Sequence, residues 1–300
     1  MATMKSRLLD EEFIAKIEQL ELVSKKITAG LLKGDRLSKR RGYSNEFADF
    51  KPYVSGDDLR FLDWNAYGRL ERLFLKIFLE EEDLRLSILI DRSPSMDYGE
   101  PNKLEYAKKV AAALAYIGLA NQDRVEVATF SQESQRVFGP VRGRSQASRL
   151  LEVMERVDSD DAPGTNLEKS CRDFALSLKG GGVVVVVTDF FDRSGFEGAL
   201  RYLLAVGRST EVFVLHVLAP EELDPSLAGD LRLVDVEDGE TSEISVSPAL
   251  LKQYKRTLDV FCDEIRQFCS KRGMFYVPAA TSLPFDKLVL EYLRNRGLLK

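Results

Sequence analysis

Five side chains of this sequence combine types and spacing suited to a hard cation. Asp91-Arg92-Ser93-Pro94-Ser95 places two hydroxyls two and four residues beyond a carboxylate. Pro163-Gly164-Thr165-Asn166 offers a third hydroxyl, and Thr188-Asp189 ends in a second carboxylate. Asp91, Ser93, Ser95, Thr165 and Asp189 thus form an all-oxygen donor set. Mg2+ or Mn2+ favours such donors in near-octahedral geometry and keeps positions for water or an incoming ligand. Softer chemistry is poorly served. The chain has one histidine, His216, and three cysteines, Cys171, Cys262 and Cys269, without the spacing of a zinc site. Any imidazole-dependent nucleophilic mechanism has to run through His216. That residue lies inside the apolar run Val212 to Leu218, where a core or sheet-end histidine is expected. Cys262 and Cys269 are seven residues apart, on one face of an expected helix, and read as core packing.

The donors need elements to position them. Leu84 to Ile90 is an apolar run that stops at Asp91, and Val183 to Val187 is an all-valine run that stops at Thr188-Asp189. β-Branched residues with no polar face suit strands covered on both sides. Between and after these runs the pattern alternates. Helices are predicted over about Lys103–Ala120, Ser145–Val157, Leu167–Leu178, Gly195–Val206 and Pro248–Arg272, with a last one over Asp286–Leu293. Strands are predicted over Arg124–Phe130, Gln135–Phe138, Val212–Leu218 and Met274–Pro278. Asp238-Gly239 signals a hairpin between Leu231–Val236 and Glu243–Val246. Asn102 with Glu105 resembles a capping box, and Thr165 with Glu168 is a second one that competes with metal ligation for the Thr165 hydroxyl. Asp189 has the competing duty of capping the helix after it.

This alternation predicts an α/β fold, a doubly wound and mostly parallel sheet with helices on both faces. Such sheets bind ligands outside the carboxyl ends of their strands, at the switch point where strand order reverses. In the order 3-2-1-4-5-6, counting from Leu84, the first and fourth strands flank that point and end at Asp91 and Asp189.

Upstream, the first 30 residues predict an amphipathic helix built on Phe13, Ile14, Ile17, Leu20, Leu22 and Val23, with Gly30 as its stop. A basic connector follows, with Lys33, Arg36, Lys39, Arg40 and Arg41. Residues 43–80 read as extended and irregular, closing with a strand at Arg72 to Leu79, and Trp64 is expected to be buried. The chain divides into an N-terminal helix and connector at 1–42, an extended β-rich segment at 43–83 and the α/β domain at 84–300.

Composition bounds the functions. Of 300 residues, 44% are hydrophobic and 30% charged, and the net charge is −5. That balance argues against broad nucleic-acid binding, and the basic connector reads as a solvated linker or partner contact. The N-terminus lacks the apolar core of a signal peptide, and Val110 to Ala120 is too short to span a bilayer. A cytoplasmic location is the expectation, and three unclustered cysteines fit a reducing compartment.

The motif Asp91-x-Ser93-x-Ser95, with Thr165 and Asp189 in order behind it, resembles the metal-ion-dependent adhesion site of the von Willebrand factor A fold. That resemblance implies direct ligation by Ser93, Ser95 and sometimes Thr165, with Asp91 and Asp189 often acting through water. Glu46-Phe47, Tyr53, Gly56-Asp57-Asp58, Arg60, Asp63-Trp64 and Lys76 resemble the signature of the family known as domain of unknown function 58. That family sets the segment ahead of a von Willebrand A-like domain, and its genes often neighbour those of MoxR-type AAA+ ATPases. Many relatives carry membrane spans before the signature, and this chain has none there.

The resemblance implies a non-enzymatic, metal-dependent protein-binding module. Its partner would be a MoxR-type ATPase or a client, contributing an acidic side chain. A Mg2+-dependent hydrolase or phosphotransferase is the competing class. It lacks support from a DxDxT element, a phosphate-binding loop or a general base. A scaffold with a vestigial site is the third.

Overall fold

The computed structural model describes residues 8–20, 22, 47–55, 59–78, 84–160, 164–207, 210–227, 229–235, 239–295 and 297–300. Described parts of the chain cluster into two compact units. One comprises residues 1–26 with 84–300, and the other residues 27–83. This division differs from the three segments drawn from the sequence, because the N-terminal helix clusters with the α/β domain.

That helix is α1 (Glu11–Ile17), capped by Asp10, whose side chain accepts from the Phe13 N–H at 2.7 Å. Among the described residues it is a seven-residue helix, far shorter than the predicted one. Beyond it, Asn121 Nδ2 donates to the Leu20 carbonyl at 2.7 Å, and Leu22 forms an isolated bridge with Leu299. Gly30, the basic connector, Glu46, the Gly56-Asp57-Asp58 turn and Asp238 lie outside the described residues.

In the smaller unit β1 (Phe47–Pro52) pairs antiparallel with a later strand. Between them lies α2 (Trp64–Leu70), which the irregular reading of residues 43–80 missed. Asp63 starts it by accepting from the N–H groups of Asn65 and Ala66. Such a side-chain cap is the usual way to satisfy the unpaired donors of a first helical turn. No residue of α2 is buried, and Trp64 is 67% exposed, so the expectation of a buried tryptophan is overturned. Its ring meets Tyr67 edge-on at 6.3 Å instead. The partner of β1 is β2 (Phe74–Phe78).

The larger unit holds a six-stranded sheet. Its elements run β3 (Arg85–Asp91), α3 (Lys103–Ala120), β4 (Arg124–Phe130), β5 (Ser134–Val141), α4 (Ala147–Glu155), α5 (Leu167–Ser177), β6 (Gly182–Thr188), α6 (Glu197–Leu204), β7 (Thr210–Leu218) and α7 (Pro220–Leu223). A separate hairpin, β8 (Gly229–Val234) with β9 (Thr241–Val246), precedes α8 (Pro248–Lys271) and β10 (Phe275–Ala280). The chain closes on a short helix at Phe285–Lys287 and a π-helical turn at Leu288–Leu293.

Sheet order is β10-β7-β6-β3-β4-β5, with every pair parallel except β4 with β5. This is the 3-2-1-4-5-6 arrangement expected from the sequence. The valine run of β6 shows why both faces must be covered. Val183, Val185 and Val187 join the core beneath α1, α3 and α4, whereas Val184 and Val186 join the core beneath α5, α6 and α8. A strand alternates its side chains between faces, so a run with no polar member needs helices on each. Full burial of each valine contributes about 1.5–3 kcal/mol. On the first face α3 is buried nearly all round. At Gly118 it approaches so closely that a Cβ would stand 2.8 Å from Val125 Cγ2.

α1 is part of that face. Phe13 is 4% exposed and meets Phe285 edge-on at 4.8 Å. Phe13→Ala is therefore expected to destabilise the chain by about 3–5 kcal/mol in urea unfolding. An unchanged midpoint would show that α1 lies outside the cooperative core.

Candidate metal centre

The site is built where β3 and β6 end side by side. Asp91 is the last residue of β3 and is 2% exposed. The backbone turns at once into a 3-10 segment, Pro94–Met96, with Pro94 pre-set for the turn. This fold-back lets the Ser93 N–H donate to Asp91 Oδ1 at 2.9 Å. It also sets the Ser93 and Ser95 hydroxyls 3.0 Å apart, both buried.

From β6, Thr188 Oγ1 donates to Asp91 Oδ2 at 2.5 Å. The same hydroxyl accepts from the Phe190 N–H at 3.0 Å. Asp189 Oδ1 accepts from the Phe191 N–H at 3.0 Å. Phe190 holds a left-handed φ of 61°, unusual for a bulky residue. Its ring is buried and packs edge-on against His216 at 5.5 Å and Phe196 at 6.2 Å, which offsets the strain. The helix that follows, α6, is capped at Phe196, so Asp189 does not serve as its cap.

Thr165 lies on the neighbouring loop. The N–H of the next residue, Asn166, donates to the Ser131 carbonyl just past β4 at 2.9 Å. The Leu167 N–H donates to Asp192 Oδ2, just past β6, at 2.6 Å. These bonds tie the loop to the same end of the sheet. The capping duty expected of Thr165 falls to Asn166, whose side chain accepts from the Lys169 N–H at 2.9 Å. Asn102 caps α3 as expected, accepting from the Glu105 N–H at 3.0 Å, while the Glu105 carboxylate pairs with Lys108.

Three participants were not singled out from sequence. Thr188, in the sequence only the neighbour of Asp189, donates to Asp91 from the adjoining strand. Lys103, fully buried, sends its ammonium to Asp189 Oδ2 at 2.7 Å and to Glu222 Oε1 at 2.6 Å. A lysine at the first position of a helix and a glutamate on the four-residue α7 carry no local signal. Their meeting depends on the sheet.

The electrostatics are those of a crowded anionic pocket. Burial, followed by the charge of Asp189, pushes the Asp91 carboxyl up to about 7, against the opposing bonds from Thr188 and Ser93. Burial pushes Lys103 down, but Asp189 and Glu222 outweigh it and hold the ammonium above its ordinary value. Burial also raises Glu222. Two buried carboxyl groups, Asp91 and Asp189, share the site with one ammonium, and its oxygen-only donors suit a hard divalent cation. Among the described residues no group of three or more His, Cys, Asp and Glu is placed to hold a metal ion, so the candidate centre rests on two carboxylates and their neighbouring hydroxyls. His216 is a buried sheet-end residue. Its Nε2 lies 3.0 Å from the Asp189 carbonyl and its Nδ1 2.8 Å from the Tyr276 hydroxyl. Burial lowers its pKa to about 4, so the ring is neutral.

Residues 49–260 match the family described as protein of unknown function DUF58. The chain belongs to this family. An uncharacterized protein of Mycobacterium tuberculosis is 27% identical to this DUF58 chain over 252 residues, covering 82% of it and 78% of the relative. Among solved structures, the conserved hypothetical protein BatB of Bacteroides thetaiotaomicron matches 71% of the chain and 98% of its own length, at 17% identity and a TM-score of 0.43. Proximal thread matrix protein 1 of the mussel byssus, with a zinc-occupied MIDAS motif, matches 72% of the chain and 44% of its own length. Its identity is 13% and its TM-score 0.41.

Thr188→Val tests the brace between the strands. The substitution keeps the shape but removes the donor to Asp91 and the acceptor for the Phe190 N–H. Unfolding in urea is expected to show a loss of about 1–3 kcal/mol, the cost of leaving buried polar groups unpaired. A loss within about 0.5 kcal/mol, as at ordinary surface sites, would show that these bonds do not stabilise the site.

Proposed function

We propose that this DUF58 protein is a metal-dependent protein-binding module rather than an enzyme. The observation that carries the reading is the pair of buried carboxylates, Asp91 and Asp189, beside the paired hydroxyls of Ser93 and Ser95 at the switch point of the sheet. Ser93, Ser95 and Thr165 would hold a Mg2+ or Mn2+ ion directly, with Asp91 and Asp189 acting through water. When bound, the cation supplies a positive charge with a position open to an acidic side chain. The chain's own residues do the positioning. Ser93 N–H and Thr188 Oγ1 orient Asp91, Phe191 N–H orients Asp189, and the aromatic packing of Phe190 holds the turn that follows Asp189.

The partner in this reading is a MoxR-type AAA+ ATPase or its client, presenting an aspartate or glutamate. That choice is supported by the family resemblance of the upstream signature and by the anionic pocket's demand for a cation. The proposed setting is the cytoplasm. Among the described residues no helix is long and apolar enough to cross a membrane.

Calorimetric titration and thermal unfolding with Mg2+ and Mn2+ test the metal. At about a hundredfold excess over Kd, binding is expected to add about 2.7 kcal/mol to stability, and Asp91→Ala is expected to lose that gain. Co-purification with the ATPase, with and without EDTA, tests the partner. Association that survives both EDTA and Asp91→Ala would overturn the metal-dependent reading. Mg2+-dependent turnover of a phosphate ester, abolished by Asp189→Ala, would make the protein an enzyme instead.

A further inference from the structure

Lys103 has an environment that its place in the helix does not require. The first residue of a helix ordinarily reaches solvent, yet this side chain is 0% exposed. Lysine is almost never buried so fully unless paired. Its ammonium lies between Asp189 Oδ2 at 2.7 Å and Glu222 Oε1 at 2.6 Å. Two aromatic rings flank it, Phe191 at 5.1 Å and Tyr98 at 5.9 Å from ring centroid to Nζ. Glu222 is itself anchored. Its Oε2 accepts from the Ala219 N–H at 2.8 Å, and its backbone carbonyl accepts from the Tyr254 hydroxyl at 2.9 Å. The ammonium is therefore shared between a carboxylate of the candidate metal centre and a carboxylate outside it.

We infer that Lys103 is a tethered counter-cation that competes with the divalent ion for Asp189 and so sets the metal affinity of the site. Glu222 is the alternative anchor that draws the ammonium away from Asp189. This inference rests on the metal reading above and names the residues that regulate that site. The argument is one of charge and lone pairs. Asp189 Oδ1 is already engaged by the Phe191 N–H and Oδ2 by Lys103. A charge within about 4–6 Å changes a carboxylate's hold on a proton by about ten- to a thousandfold, and a divalent ion responds to the same field. Lysine suits this role because its charge is compact and its stem has four flexible carbons. Arginine's rigid fork could not shift between two acceptors as freely. A site held weak in this way retains its cation best when a partner's carboxylate adds to the field, which couples metal binding to partner binding.

The test is calorimetric titration of the full chain with MnCl2. Lys103→Met alone leaves the buried Asp189 and the half-buried Glu222 without their counter-cation, so the informative variant is Lys103→Met/Glu222→Gln. It removes one positive and one negative charge and leaves the local sum unchanged. It is expected to bind Mn2+ about tenfold or more tightly than the native chain, a gain that Asp91→Ala abolishes. Equal or weaker binding by this variant would sink the inference. If circular dichroism shows that it does not fold, Glu222→Gln decides. With its second anchor gone the ammonium rests on Asp189 alone, so Mn2+ binding weakens, by about threefold or more given the size of such charge effects. Unchanged or tighter binding overturns the role of Lys103. Absence of Mn2+ heat from the native chain and from every folded variant would remove the metal reading itself. A native chain that binds while the variants do not differ would remove only this inference.

Discussion

Everything at the candidate metal centre depends on the parallel pairing of β3 with β6. The register sets Leu86 beside Val183 and Ile90 beside Val187. One position beyond, Asp91 and Thr188 are joined by a side-chain hydrogen bond, and Asp189 follows. These strands are ninety-seven residues apart in the chain at that bond. They become neighbours because the first connection leads outward to β4 and β5, and the return crosses back to the other side of β3. A slip of one residue would turn every side chain of β6 to the opposite face. The two cores, one holding Val183, Val185 and Val187 and the other Val184 and Val186, are both apolar, so the valines tolerate such a slip better than the polar end does. Register is specified largely where Thr188 must meet Asp91.

That dependence has an energetic cost. Asp91 and Asp189 are buried at 2% and 1% exposure, close enough for the second to raise the first. Ionised carboxylates in such a place require partners. Backbone N–H groups from Ser93 and Phe191, the Thr188 hydroxyl and the Lys103 ammonium supply part of the compensation. Even with them, burial and Asp189 hold the Asp91 carboxyl above its ordinary range. A stretch of fold that concentrates negative charge against a core of valine and phenylalanine is poor design for stability alone. It is intelligible if the charge is matched by a cation.

The rest of the larger unit serves to hold these strand ends rigid. α3 and α8 cover opposite faces, and each also sends one side chain toward the site, Lys103 from the start of α3 and Tyr254 from α8 through Glu222. α1 closes the first face through Phe13, Ile14 and Ile17, and Glu18 accepts from the Tyr116 hydroxyl at 2.8 Å. The smaller unit contrasts with this. Its α2 buries no residue and leaves Trp64, Leu70 and Tyr67 largely exposed.

Sequence alone determined what is periodic and local. The strand order followed from counting apolar runs, because a run without a polar face must be covered twice and consecutive units wind in a fixed hand. The candidate donors Asp91, Ser93, Ser95, Thr165 and Asp189 could be picked out because each sits at the end of such a run or in a loop between two of them. The fold places the first three and Asp189 at adjoining strand ends, with Thr165 on the loop beside them. What sequence could not show was α2, seven residues without a buried stripe, whose start is marked only by the Asp63 cap. It misjudged Trp64 for the related reason that residue type predicts burial only on average. Of the long amphipathic pattern at the N-terminus, the described residues hold a seven-residue helix, and Asn121 donates to the Leu20 carbonyl just beyond it. Only tertiary structure brought Lys103 and Glu222 to Asp189, since their partners lie 86 and 119 residues away and neither leaves a mark in spacing or periodicity. Local patterns record which face of an element is apolar. Which charge meets which carboxylate is decided when the sheet brings distant elements to one edge.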